Sequence, residues 1–228
     1  MRPLGSGEAV MLAGTEGAYY PFWSYDSKWI GFFSSTTGKL KKVDVSGNPP
    51  VTICDAPVGR GGTWSPDDVI VFAPLSQGPL YSVSASGGDP VRVTQTDTSR
   101  RESSQRWPCF LPDGKRFLYF SRTISFGSEA EGDAIMAASL DGGSSTFVTN
   151  SSTNAMYASG HLLYMRGGTL LVQRFDESTL SISGDPLSIA EGVINDAGFS
   201  LGVFSASQNG ILAYQTGVGI AGARLIIT

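Results

Sequence analysis

The chain is poor in the residues from which most enzymatic and metal-binding centres are built. It has one histidine, His161, in 228 residues, so a Ser-His-Asp or Cys-His mechanism would have to run through that single imidazole. Its two cysteines, Cys54 and Cys109, are far apart, each at the edge of an apolar run, and there is no Cys-x-x-Cys. Buried free thiols are the expectation, with no metal centre and no cofactor indicated. Charge is scarce as well: charged residues are 16% of the chain, and 16 basic side chains face 20 acidic ones for a net charge of −4. That balance excludes a general attraction to phosphate backbones or anionic lipid, so neither nucleic acid nor a membrane surface is an expected partner. The dense basic clusters, Lys39, Lys41, Lys42 and Arg100, Arg101, Arg106, read as solvated strand faces or loops. No apolar run approaches membrane-spanning length, and the N-terminus lacks the charged-then-apolar order of a signal peptide, so a soluble chain is expected. Amphipathic helical periodicity is missing throughout.

What the chain does have is glycine and proline, 29 and 12 residues, together with 41% apolar residues. That combination suits many short strands joined by tight turns around a substantial core, an all-β domain spanning residues 1–228. A repeat gives the strands their order. The run Phe22-Trp23-Ser24-Tyr25-Asp26-Ser27 precedes the apolar stretch Trp29 to Phe33, and Trp64-Ser65-Pro66-Asp67-Asp68 precedes Val69 to Phe72. Phe110-Leu111-Pro112-Asp113-Gly114 precedes Phe117 to Phe120, and two drifted copies precede His161 to Tyr164 and Ile211 to Tyr214. In each of the first four copies two further strand-like segments follow. In the first three they flank a short glycine-containing turn, as in Leu40 to Val45 and Val51 to Cys54; in the fourth, a longer turn through Gly184 is expected before Leu187 to Ala190. A period of roughly 40 to 48 residues with four strands per unit is that of a β-propeller blade, and it predicts about five of them, with Trp23 and Trp29 packing between blades. Glu8 to Leu12 would pair beside Arg224 to Thr228 and close the ring; alternatively the chain is a piece of a longer propeller with an open edge.

The Trp-Ser-Pro-Asp turn resembles the TolB-like, WD40-like "PD40" propeller repeat. Trp64 to Asp67 keep its core, with Asp68 where glycine is usual and Tyr25 and Leu111 as further departures. The runs Arg106 to Gly114 and Gly160 to Tyr164 resemble the propellers carried C-terminally by bacterial serine/threonine kinases, which implies an upstream kinase-like domain in a parent protein. No kinase motif is present in this chain. The resemblance makes His161 a structural residue of a turn on the face opposite the central mouth, and Asp26, Asp67 and Asp113 turn formers.

Function is then expected at the loops that enter each inner strand, which surround the mouth. They carry Glu16, Tyr19 and Tyr20; Asp55 and Arg60; Arg100, Glu102, Arg106 and Trp107; Asn154; and Asn195, Asp196 and Phe199. The expectation is a non-catalytic module that binds a small molecule, glycan or protein segment. Tyr19, Tyr20 and Trp107 would be stacking surfaces, and Arg60 and Arg106 clamps for a carboxylate or other anion. The alternative is a glycosidase-like or esterase-like hydrolase, since five-bladed propellers include glycosidases; it would use Glu16, Asp55 and Asp196 as paired acids.

Overall fold

A computed structural model describes residues 11–124, 132–208, 210–217 and 224–227. The described chain is almost all strand, folded into successive antiparallel sheets in simple meander order. The first sheet is β1 (Ala18–Trp23), β2 (Trp29–Ser34), β3 (Lys39–Asp44) and β4 (Val51–Asp55). The second is β5 (Gly62–Trp64), β6 (Val69–Phe72), β7 (Tyr81–Ser84) and β8 (Val91–Arg92). A single 3-10 turn at Thr98–Arg100, capped by Asp97, leads into the third sheet. That sheet is β9 (Glu102–Phe110), β10 (Arg116–Thr123), β11 (Ala134–Ser139) and β12 (Thr146–Asn150). The fourth is β13 (Ala155–Ala158), β14 (His161–Arg166), β15 (Thr169–Asp176) and β16 (Ser181–Ala190). A two-stranded ribbon, β17 (Asn195–Asp196) and β18 (Leu201–Gly202), precedes a three-stranded sheet of β19 (Phe204–Ala206), β20 (Leu212–Thr216) and β21 (Arg224–Ile227).

In the first four sheets the second strand is buried on both faces, and alternation of side chains shares it between two neighbours. On β6, Ile70 and Phe72 pack towards the first sheet, against Phe33 and Leu40, whereas Val71 packs towards the third. On β10, Phe117 and Tyr119 face back to Val71 and Leu80, whereas Leu118 and Phe120 face forward to Tyr157, Leu162 and Tyr164. On β14, Leu163 and Met165 face forward again, to Phe204. Full burial of each such side chain is worth about 1.5–3 kcal/mol, so the apolar runs after each turn are the glue between sheets. The first strands stand side by side: β1 touches β5, β5 touches β9, β9 touches β13 and β13 touches β19. Sheets stacked face to face with their first strands adjacent are the arrangement of a β-propeller.

The repeated turn has a specific backbone requirement. Its fifth residue is left-handed in each of the first three copies: Ser27 at φ 58°, Asp68 at 57° and Gly114 at 67°. Asp26 and Asp113 close the turn by accepting backbone N–H bonds, Asp26 from Lys28 at 3.1 Å and Asp113 from Lys115 at 2.9 Å. In the second copy the side chain that closes the turn is Ser65, whose Oγ accepts from the Val69 N–H at 3.2 Å, while Asp68 accepts from Trp64 Nε1 at 3.0 Å. The turn-forming role expected of Asp67 is thus carried by Ser65.

Two further expectations are corrected. Trp23, read as packing between blades, is 53% exposed, because strand alternation turns it outward while Phe22 packs on the core. The long turn expected before Leu187 is short: β16 starts at Ser181 and carries Gly184, at φ 72°, as an irregularity within the strand. Both cysteines are free thiols. The expected pairing of Glu8 to Leu12 with the C-terminal strand rests on Glu8 to Val10, which lie outside the described residues.

Candidate functional site

Tyr19, Tyr20, Glu102, Arg106 and Trp107, expected in loops that enter the first strands, lie within β1 and β9, and the first strands and the turns beside them share a backbone device. Tyr20 (φ 50°) and Trp107 (φ 54°) each sit at a bulge in the pairing of a first strand with its neighbour, Gly61 (φ 87°) stands just before β5, and Ser200 (φ 54°) just before β18. Left-handed backbone costs a non-glycine residue about 1–2 kcal/mol, and a bulge turns the side chain away from the ladder. Here it turns Tyr20 and Trp107 onto one another, edge to face with ring centroids 4.6 Å apart. Gly61 has no side chain because Trp107 lies flush upon it: a Cβ there would be 2.5 Å from Trp107 Cε3. The Trp107 N–H donates to the Arg60 carbonyl at 2.9 Å, which ties the second sheet's entry to the third.

The segment Asp196 to Ser200 meets this group from the other side. Asp196 Oδ1 accepts from the N–H groups of Gly198 (3.0 Å) and Phe199 (3.3 Å), holding a tight turn. Three arginines and a tryptophan grip it. Arg106 donates to the Phe199 carbonyl at 3.0 Å, as does Trp107 Nε1 at 3.0 Å. Arg122 donates to the Gly198 carbonyl at 3.1 Å, and the Arg60 guanidinium lies 4.8 Å above the Phe199 ring. Tyr20 completes the group, 6.1 Å from Phe199.

The electrostatics are unusual. Arg106 is only 3% exposed, and besides Phe199 its donors reach Ser104 Oγ (2.9 Å) and the Ser76 carbonyl (2.8 Å), all neutral acceptors. Burial, with the like charges of Arg122 and Arg60 nearby, brings its proton affinity down to about 10. Arg60 spends one terminal nitrogen on the Gly59 carbonyl, at 2.8 Å, and its Nε is buried with no hydrogen-bond partner. Among the described residues none of the three arginines forms an ion pair. Two carboxylates modulate the field. Asp133 is bound to the Thr123 backbone N–H at 2.7 Å, and burial raises its pKa. Asp196, beside Tyr20, helps burial raise the phenol's pKa while Arg60 opposes it.

Of the residues expected at the mouth, Tyr20, Arg60, Arg106 and Trp107 are brought together, with Tyr19 one ring behind, 5.0 Å from Tyr20 and accepting from the Gly59 N–H at 3.2 Å. Arg106 and Trp107 are buried, whereas Tyr19, Tyr20 and Arg60 remain half-exposed. The three acids find separate surroundings. Glu16 contacts the Gly14 N–H, Asp55 pairs with Lys39 across β3 and β4, and Asp196 holds its own turn beside Tyr20. Arg100 reaches the Gly132 carbonyl, Glu102 accepts from the Asp97 N–H, and Asn154 accepts from the Gly202 N–H at 2.8 Å. His161 starts β14, its Nδ1 2.9 Å from the Ser159 carbonyl, and borders a cleft of about 370 Å³ between the fourth and last sheets. Among the described residues no group of three or more His, Cys, Asp or Glu side chains is placed to hold a metal ion. Sequence reasoning missed Arg122. The signal was strand length: β10 runs past Phe120 to Thr123, which carries Arg122 beside Ser104 and within reach of Gly198.

No family model matches the chain, and no curated protein does. Comparison with solved structures identifies the class, a β-propeller. A protein from Agrobacterium tumefaciens described as TolB superposes with a TM-score of 0.65 at 18% identity, over 92% of this chain and 76% of that one. A gluconolactonase from Xanthomonas campestris gives 0.66 at 11% identity, over 89% and 70%. A calcium-binding protein, regucalcin, from Agrobacterium tumefaciens gives 0.58 at 11% identity, over 87% and 67%. The fold is thus common to TolB-like propellers and to enzymes, and it does not choose between their activities.

Proposed function

We propose that this chain is a non-catalytic recognition module that takes a small molecule, glycan or protein segment at the mouth of its propeller. We read the Trp-Ser-Pro-Asp turns as PD40-type repeats and the sheets as about five blades of a ring. The observation that carries the functional reading is the convergence of Tyr20, Arg60, Arg106 and Trp107, from three sheets, on one point beside Arg122 and Phe199. Half-exposed aromatic rings beside guanidinium groups without ion pairs supply stacking surface and directional donors on a rigid scaffold. The acids of the competing hydrolytic reading have no comparable convergence.

The test is a ligand screen by calorimetry over glycans, organic acids and short peptides, repeated on Arg60→Gln and Tyr20→Ala. Ligands found with the wild type should lose at least tenfold in affinity with each variant. Unchanged affinities would place recognition elsewhere on the molecule. A second reading, ester or lactone hydrolysis at the same mouth, draws on the gluconolactonase among the similar folds. Turnover of chromogenic esters or lactones abolished by Asp196→Asn would favour it over binding alone.

A further inference from the structure

Resting on the mouth as the recognition site, we infer that the group recognised is an oxyanion, a carboxylate or phosphate, and that the Asp196–Ser200 turn occupies its place in the free protein. Three guanidinium groups meet at the mouth without an ion pair among the described residues, which is an arrangement proteins use to receive charge from outside. Two of them, Arg106 and Arg122, donate here to the carbonyl oxygens of Phe199 and Gly198, neutral acceptors standing where charged oxygens would bind more strongly. Arg60 gives a second, independent sign. Its Nε is buried with nothing to donate to, although its guanidinium stacks on Phe199, so the free protein leaves one donor at the mouth unsatisfied.

The turn is built to be displaced. Asp196 secures it internally through the Gly198 and Phe199 N–H groups, and its outward hold on the mouth side is three side-chain donors and the Phe199 ring, while its far end stays anchored by the Asn154 N–H on the Ser200 carbonyl at 3.3 Å and by the pairing of Asp196 with Leu201. Phe199 is 36% exposed, so its ring leaves a half-wet position, not a packed core. An incoming oxyanion takes the donors of Arg106 and Arg122 and pushes the Phe199 carbonyl aside. Affinity is then set by competition with the turn, and weakening the turn strengthens binding.

The probes are inorganic phosphate and malonate, titrated calorimetrically into the wild type, Phe199→Ala, and Arg122→Gln. A second readout is the fluorine resonance of 4-fluorophenylalanine placed at position 199. The expected result is saturable binding of at least one probe, about tenfold tighter in Phe199→Ala because an aromatic edge contact and a cation–π contact no longer hold the turn. Arg122→Gln should weaken it, and the resonance should move on titration. Phosphate binding without malonate, or the reverse, identifies the preferred oxyanion. An anion that binds without moving the resonance, and no tighter to Phe199→Ala, overturns the competition while leaving the mouth as the recognition site. A mouth that binds neutral ligands through Tyr20 but neither anion overturns the oxyanion inference alone.

Discussion

Replacing Arg106 by glutamine separates a structural strut from a poised binding group. A guanidinium ordinarily keeps its proton to above pH ~12, and burial brings Arg106 down to about 10. At ~1.4 kcal/mol per tenfold, holding its charge inside the protein costs on the order of 3 kcal/mol. The opposing quantity is its three hydrogen bonds to Ser104, Phe199 and Ser76. Glutamine at this position retains one of them, and losing two bonds from a charged donor costs about 1.5 kcal/mol each. The two effects nearly cancel, so Arg106→Gln should change unfolding free energy by no more than about 1 kcal/mol in urea titrations at pH 7. The pH dependence has a definite sign. In the folded protein Arg106 releases its proton earlier than in the unfolded chain, so wild-type stability gains relative to the variant as pH rises through about 10 to 12. A loss of 3 kcal/mol or more at pH 7, with no such divergence, would refute the reasoning and make Arg106 a compensated structural tie.

Two other perturbations test the fold. Gly114→Ala puts a Cβ at φ 67° and 2.8 Å from the Pro66 ring, and should cost about 2 kcal/mol or more, whereas Ser27→Gly at φ 58° relieves strain and should leave stability unchanged or slightly higher. Equal effects in denaturant titration would contradict the left-handed requirement of the turn. Cys54 is buried and its thiol is pushed up to about 12, chiefly by burial and secondarily by Asp55. It should therefore resist a disulfide reagent at pH 8 until urea is added, and rapid native labelling of the Cys54 peptide would show that the seal between the first two sheets opens.

The order of strands was legible because it repeats. A turn that needs a left-handed residue selects Gly, Asp or Ser at one position, and the buried second strand after it must be apolar on both faces, so the pair leaves a trace even in drifted copies. The mouth was legible only in part. Tyr20, Arg60, Arg106 and Trp107 belong to the stretches around the first strands, which topology sets side by side, but Tyr20, Arg106 and Trp107 lie within β1 and β9 and not in the loops that lead into them. That Trp107 would be buried on Gly61, and that Arg106 would donate to the Phe199 carbonyl over ninety residues away, was not predictable, because such contacts depend on bulges that shift the register. The acids Glu16 and Asp55 are expected at the mouth on the same ground of loop position, yet each is engaged locally. Trp23 was misread because a single alternation error exchanges the inner and outer faces of a strand.

The central claim is that the three arginines form a site whose natural occupant is an anion. A crystal structure of the protein grown with the tighter-binding of phosphate and malonate tests it most directly. The account predicts the anion within hydrogen-bond distance of the Arg106 and Arg122 guanidinium groups, with the Phe199 carbonyl moved off them. A structure in which both arginines still hold the Gly198 and Phe199 carbonyls, with the anion absent from the mouth or bound elsewhere, would contradict it.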